Sequence, residues 1–264
     1  MSDSFTTKYG PTALITGAAN GIGRGFAARL AARNLSLLLV DIDAEGLEAA
    51  ASALREANDV SVTTCVADLS RLSELDRVNH IAREHEVGLL VNNAGIGHKE
   101  HFLGIALEEH LTALDVNIRA SLVLTHQILP ALQARGRGGL IFTSSMSALV
   151  GGPGIANYAA TKAYGRHLAE ALYGELHRDG IDVLALMPGL TRTRQVTAGY
   201  TEAELDAQRP MEPEVVAETA LLALGRKRFV IPGLLNRLQA WAFVRLPRGP
   251  LLRAMGRKAT PSHR

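Results

Sequence analysis

In the stretch "NYAATKAYG" (157–165), Tyr158 and Lys162 stand four residues apart among small alanines. On a helix that spacing stacks a phenol and an ammonium on one face, one turn above the other. Such a pair is either an inert surface contact or a tuned acid/base. A free phenol titrates near pH 10, too high for a base near neutrality. Lowering that by about three units takes ~4 kcal/mol, within reach of a closely held charge pair. The surroundings of Tyr158 therefore decide whether it does chemistry.

A second group of chemistry-bearing residues lies near the N-terminus. "TGAANGIGRG" directly follows the apolar run "TALIT" (12–16) and opens an Ala-rich helix reaching to about Arg33. Gly17 suits the tight turn, Gly21 close approach of backbone to a pyrophosphate, and Gly23 close packing of helix on strand. Asn20, Gly21, Ile22 and Gly23 open the helix, whose N-terminus offers unpaired N–H groups and a positive dipole to an anion. Asp41 ends the next apolar run, 18 residues after Gly23, where a carboxylate can accept both adenosine ribose hydroxyls. Opposite a 2′-phosphate, one such charge pair at about 4 Å and dielectric near 20 is worth ~4 kcal/mol of repulsion. NAD is favoured over NADP, with Arg24 as the countervailing cation.

Elements that could position these residues alternate along the chain. Apolar runs at 35–40, 60–66, "GLLVNNAG", 139–145, 181–189 and "RFVIPG" follow 12–16 as strands. Helical patterns fall at about 44–57, 73–86 and 107–130, around Tyr158, and in part of 190–224. Near-continuous Leu/Val/Ile strands separated by helices imply an α/β fold, a doubly wound Rossmann-type parallel sheet of about seven strands with helices on both faces. Such sheets bind ligands at the carboxyl ends of their strands. Residues 1–232 read as one dinucleotide-binding and catalytic domain, and 233–264 as a basic amphipathic C-terminal extension.

The 264 residues are 47% hydrophobic and 20% charged, ordinary for a globular chain. No signal peptide and no run of roughly 18–20 apolar residues is seen. Cys65 is the single cysteine, so an intrachain disulfide is impossible and a reducing cytoplasm is expected. The net charge of +2 hides an asymmetry: from Thr219 to Arg264 there are ten Lys or Arg and no Asp or Glu. The remainder holds 18 basic against 26 acidic residues, a net −8. No nucleic-acid motif accompanies the basic tail, and no metal site is read from His98 and His101.

Thr16-Gly17-x-x-x-Gly21-x-Gly23, Asn92-Asn93-Ala94-Gly95, Ser145, Tyr158-x-x-x-Lys162 and Pro188-Gly189 occur in this order over roughly residues 11–190. That combination resembles the short-chain dehydrogenase/reductase family, its compact single-domain branch. The resemblance implies that Ser145, 13 residues before Tyr158, orients the substrate oxygen, with Thr143, Ser144 and Ser147 as competing hydroxyls. It implies that Asn117 in "LDVNIRA" completes a proton relay and that Lys162 also holds the nicotinamide ribose. Asp68 would meet adenine, and Asn93, Ala94 and Gly95 would border the cofactor. Thr191 or Thr193, after Pro188-Gly189, would bond the carboxamide, Thr191 being preferred. A homodimer or homotetramer is implied by resemblance alone.

The function expected is hydride transfer between NAD and an alcohol/carbonyl substrate with Tyr158 as general acid/base. The alternatives are a catalytically silent dinucleotide-binding sensor or scaffold and, less favoured, an epimerase or dehydratase. The polar stretch 191–213 is expected to cover the substrate, with His98, Lys99 and His101 bordering the pocket or simply exposed in a loop. Leu234, Leu238, Trp241 and Arg245 fall at helical spacing up to Pro247. That helix packs on its own domain or a partner subunit, or it lies on an anionic membrane surface.

Overall fold

The computed structural model describes residues 2–197 and 201–259. The chain opens with α1 (Ser2–Tyr9), β1 (Thr12–Thr16), α2 (Gly21–Ala31), β2 (Ser36–Asp41), α3 (Ala44–Ala57), β3 (Val62–Val66), α4 (Leu72–Glu84) and β4 (Val87–Asn92). It continues with α5 (Leu107–Leu114), a π-helical segment (Asp115–Arg119), α6 (Ala120–Arg135), β5 (Gly138–Thr143), α7 (Ala156–Leu176) and β6 (Ile181–Leu186). Then come α8 (Arg194–Thr197), α9 (Glu202–Ala207), α10 (Pro213–Ala223), β7 (Phe229–Val230), α11 (Leu234–Arg245) and α12 (Arg248–Ala259).

The seven strands form one parallel sheet in the order β3-β2-β1-β4-β5-β6-β7. The order reverses between β1 and β4, the place where an open sheet leaves a crevice at its carboxyl end. Side chains alternate between two cores, as period-two strands require. Ala13, Ile15, Leu37 and Leu39 face one layer, with Phe26 and Leu30 of α2, Leu47 of α3 and Val216 of α10. Leu14, Leu38 and Val40 face the other, with Leu75 of α4, Leu124 and Leu132 of α6 and Ala169 of α7. Both faces are covered, which is why the central strands are near-continuous apolar runs, whereas the edge strand β3 carries Thr63 and Thr64.

Three features depart from the sequence pattern. The polar N-terminal stretch forms α1, anchored where the Tyr9 hydroxyl donates to Asp182 at 2.6 Å and Lys8 pairs with the same carboxylate. The single helix read over 107–130 is interrupted by the π-helical segment. Beyond Pro247 a further helix, α12, resumes, because Pro at that point ends one helix without preventing another. A third cluster, Met146, Leu149, Val150, Met187 and Ala240, with Phe243, Leu251 and Leu252 against it, seats α11 and α12 on the main body.

Phe26 is fully buried between α2 and the sheet. Phe26→Ala is expected to cost about 3–5 kcal/mol, read as a lowered urea midpoint with an unchanged m-value; a shift within error would mean that this layer relaxes to fill the cavity.

Candidate active site

The crevice at the β1/β4 reversal is a cleft of about 760 Å³. Gly17, Asn20, Gly21 and Ile22 line one wall, Asp41 and Asp68 its far end, and Asn93, Ala94 and Gly95 the floor. Ser145, Tyr158, Lys162, Pro188, Gly189 and Thr191 line the opposite side. Gly23 lies behind the turn: a Cβ there would come within 1.9 Å of the Gly17 carbonyl oxygen, so helix and turn pack backbone to backbone. Gly17 itself takes φ +67°, the left-handed region that favours glycine.

The turn is clamped across the sheet. Asn93 Nδ2 donates to the carbonyls of Thr16 and Gly17 at 3.0 and 3.1 Å, and Thr16 Oγ1 accepts from the Asn93 and Ala94 amides. Asn92 points elsewhere and donates to Thr125 at 3.0 Å, a contact internal to the fold. At the N-terminus of α2, Asn20 makes no side-chain capping bond, so the first-turn amides face the cleft uncapped. Asp41 accepts from the Ala19 and Asp43 amides at 2.9 and 3.0 Å, which fixes its carboxylate at the end of β2. Uncapped amides, a glycine turn and a fixed carboxylate at this spacing suit a dinucleotide.

On the other wall, α7 carries Tyr158 and Lys162 inward. Lys162 is buried, donates to the Thr143 carbonyl at 3.0 Å, and lies 5.7 Å from the centroid of the Tyr158 ring. Burial lowers its pKa to about 8. Burial also pushes the Tyr158 phenol above its ordinary range, while a hydrogen bond with Ser145 pulls it down. Ser145 caps a short 3-10 turn by accepting from the Ser147 amide at 3.1 Å. Ser144, its competitor, is buried and donates to the Lys162 carbonyl at 2.7 Å, a structural tie.

Asn117 sits in the π-helical segment. Its Oδ1 accepts from the Ile96 amide and its Nδ2 donates to the Ile96 carbonyl and to Thr161 Oγ1, each at 2.8 Å. The segment thus ties the strand-end loop to α7 one residue before Lys162. Asp68 also lines the cleft and is held below the ordinary carboxylate range, chiefly by the Ser70 hydroxyl. Thr191 is buried with its hydroxyl donated to the Gly189 carbonyl at 3.1 Å. Thr193 crosses over the glycine turn, where a Cβ on Gly21 would meet its methyl at 2.8 Å.

Some lining residues carried no sequence signal. Arg194 reaches across the cleft mouth and pairs with Asp43 at 3.1 Å; its partner lies 151 positions away. Arg24 is exposed and outside the cleft lining. A smaller cavity of about 240 Å³ adjoins Tyr158, walled by His98, His101, Phe102 and His110 among others. His110 is buried, stacked on Phe102, with Nε2 at 3.0 Å from the Phe102 carbonyl. Residues 198–200, within the stretch expected to cover the substrate, lie outside the described residues.

Against known proteins, the short chain dehydrogenase family model matches residues 11–204. The chain belongs to the short-chain dehydrogenase/reductase family. It is 33% identical over 235 residues to the oxidoreductase UcpA of Escherichia coli (strain K12), covering 88% of this chain and 87% of that protein. It is 30% identical over 221 residues to the inactive hydroxysteroid dehydrogenase-like protein 1 of Homo sapiens, covering 83% and 67%. Of the Gallus gallus protein of that name without "inactive", also 30% identical, it spans 66%. Among solved structures, a 7beta-hydroxysteroid dehydrogenase superposes with a TM-score of 0.89 at 25% identity, covering 96% of this chain and 99% of that one.

The burial of Lys162 has a pH signature. Its folded pKa near 8 lies below the unfolded 10.5, so between these values the unfolded chain binds the extra proton and this group adds stability as pH rises. Wild type should therefore gain stability relative to Lys162→Met, by up to about 3 kcal/mol between pH 8 and 10.5, in urea unfolding at each pH; a constant difference would mean that Lys162 is hydrated in the folded protein.

Proposed function

We propose that the chain is a NAD-preferring oxidoreductase that moves a hydride between the nicotinamide and an alcohol/carbonyl carbon, with Tyr158 as general acid/base. One observation carries this reading: Ser145, Tyr158 and Lys162 share a cleft with Asp41 and the uncapped start of α2. When bound, the dinucleotide supplies the hydride acceptor or donor.

The protein's own groups do the rest. Asn20, Gly21 and Ile22 present backbone amides to the pyrophosphate, Gly17 makes the tight turn beside it with its own amide held by the Val40 carbonyl, and Gly23 lets α2 pack on that turn from behind. Asp41 accepts from the adenosine ribose and Asp68 borders adenine. Asn93, Ala94 and Gly95 form the floor, and Pro188, Gly189 and Thr191 meet the carboxamide end; Thr193 lies nearer the phosphates. Ser145 donates to the substrate oxygen. Tyr158 Oη takes the hydroxyl proton in oxidation and returns it in reduction. Lys162, in its charged form, favours the phenolate and holds the neighbouring ribose. Asn117 is a positioning residue: it fixes Ile96 and Thr161 on either side of Lys162 and leads the relay toward solvent.

The preference for NAD rests on Asp41 and on the absence of Arg24 from the cleft lining; Arg194 at the cleft mouth, held only by an exposed pair with Asp43, is the cation that could oppose it. An assembly of two or four copies is proposed as well, supported by the exposed stripe Leu103, Leu107, Leu111 and Leu114 along α5 and the turn before it. The buried free thiol of Cys65 suits a reducing compartment, the cytoplasm first. A second reading, a dinucleotide sensor without turnover, draws on relatives named as inactive. Against it stands the assembled Ser145, Tyr158 and Lys162 set, which a pure binder does not need.

Tyr158→Phe should lower kcat/KM by about 10²–10⁴ in a screen of alcohols with NAD, while NADH binding, followed by nicotinamide fluorescence, stays largely intact. Unchanged turnover would remove Tyr158 from the chemistry, and cofactor binding with no turnover in wild type would select the sensor. In the same titration NADH should bind more tightly than NADPH, and Asp41→Ala should narrow the gap; tighter binding of NADPH by wild type would overturn the role given to Asp41.

A further inference from the structure

We propose that the outward face of α11, with the arginines around it, docks on an anionic lipid surface. The inner face of this helix is accounted for: Ala240 is buried and Phe243 packs on the cluster around Met146 and Met187. The outer face is not. Leu234 and Leu235 are each 64% exposed, Leu238 56% and Trp241 58%, a continuous apolar surface at i, i+4 and i+7 spacing. An exposed patch of this kind marks an interaction site more often than a scattered surface leucine does.

Charge identifies the partner. Arg237 and Arg245 are exposed on α11 and Arg248 and Arg253 on α12, and the whole stretch from Thr219 to Arg264 contains no carboxylate side chain. The Arg245 guanidinium lies 4.6 Å from the centre of the Trp241 ring, over its face, so cation and aromatic share one edge of the helix. A twofold contact laying α11 on α11 of a second copy would set arginine against arginine with no acidic residue in the segment to answer them. A bilayer surface answers both halves of the face. Leucines and the indole enter the headgroup–acyl boundary, while the long arginine side chains reach anionic phosphates.

The contact is peripheral, since no helix among the described residues is long and apolar enough to cross a membrane. It also adjoins the cleft: a Cβ on Gly189, a lining residue, would meet the Asn236 side chain of α11 at 2.5 Å. A docked chain therefore holds the Pro188-Gly189 side of its cleft near the bilayer. The proposal goes beyond the oxidoreductase reading and does not depend on it.

Trp241 is the single tryptophan of the chain, so its emission reports this face without a label. The full chain should sediment with vesicles of phosphatidylcholine containing one quarter phosphatidylglycerol, with a blue-shifted emission, and should do neither with pure phosphatidylcholine. Arg237→Ser with Arg245→Ser should lower the partition coefficient by roughly 30-fold. Leu235→Glu with Leu238→Glu should abolish binding, with thermal melts of both variants matching wild type because all four positions are exposed. Equal binding to neutral vesicles, or anionic binding untouched by either variant, would overturn the proposal. So would a blue shift and a doubling of mass on concentrating the protein without lipid, both removed by the glutamates, which would assign the face to self-association. None of these readouts involves turnover, so failure here leaves the catalytic reading standing.

Discussion

The site depends on one break in the sheet. β1 and β4 lie side by side through Ile15 and Val91, and then their chains part, because the helices that follow cover opposite faces. Backbone groups at that parting lose their ladder partners and need others. Asn93 and Thr16 supply them, bonding the carbonyls and amides of the diverging ends. The split is thereby held open as a rigid cleft rather than closing by local rearrangement. The cleft lining near β1 and β4 is referenced to this clamp, through the glycine turn after β1 and the Asn93-Ala94-Gly95 segment after β4.

The opposite wall is built on a costly burial. Lys162 gives up water for one carbonyl of Thr143, and this burial is what lowers its pKa. Tyr158 is pushed the other way by the same desolvation. The pair is poised: positive charge arriving in the cleft or developing negative charge on the phenol each shifts the balance strongly, because little water screens it. The cost is carried by the surrounding sheet and by α7, whose turn at Lys162 is pinned through Ser144 and whose neighbour Thr161 is pinned through Asn117.

Two segments laid over this frame connect it to the outside. After β6 the chain crosses the cleft mouth, secured by Arg194 on Asp43 and by Arg192 on Asp206 and Glu212. These are surface pairs, each worth little in water, so the cover is attached by contacts that open readily. α11 and α12 follow, seated by a small apolar cluster and carrying the positive charge that the acidic body lacks.

Much of this was legible in the residues. The strand 12–16, the helix 44–57, the helix beginning at Leu234 and the parallel order were readable because apolar periodicity, glycine turns and proline stops are local signals, although the strand read over 181–189 ends at Leu186. The family's spaced motifs pointed to Ser145, Tyr158 and Lys162 as one group, and the spacing after the glycine turn pointed to Asp41; all four line the one cleft. The sequence pattern did not show α1, held by contacts with Asp182 more than 170 positions away, or the π-helical segment that turns Asn117 inward. Nor did it show which serine is structural, that Arg194 meets Asp43, or which face of α11 is free. Local spacing determined the elements and the identity of the chemical groups. Only tertiary packing decided which of those groups lose water, find partners across the chain or stay exposed, because desolvation and long-range pairing are properties of the assembled sheet and have no signature in neighbouring residues.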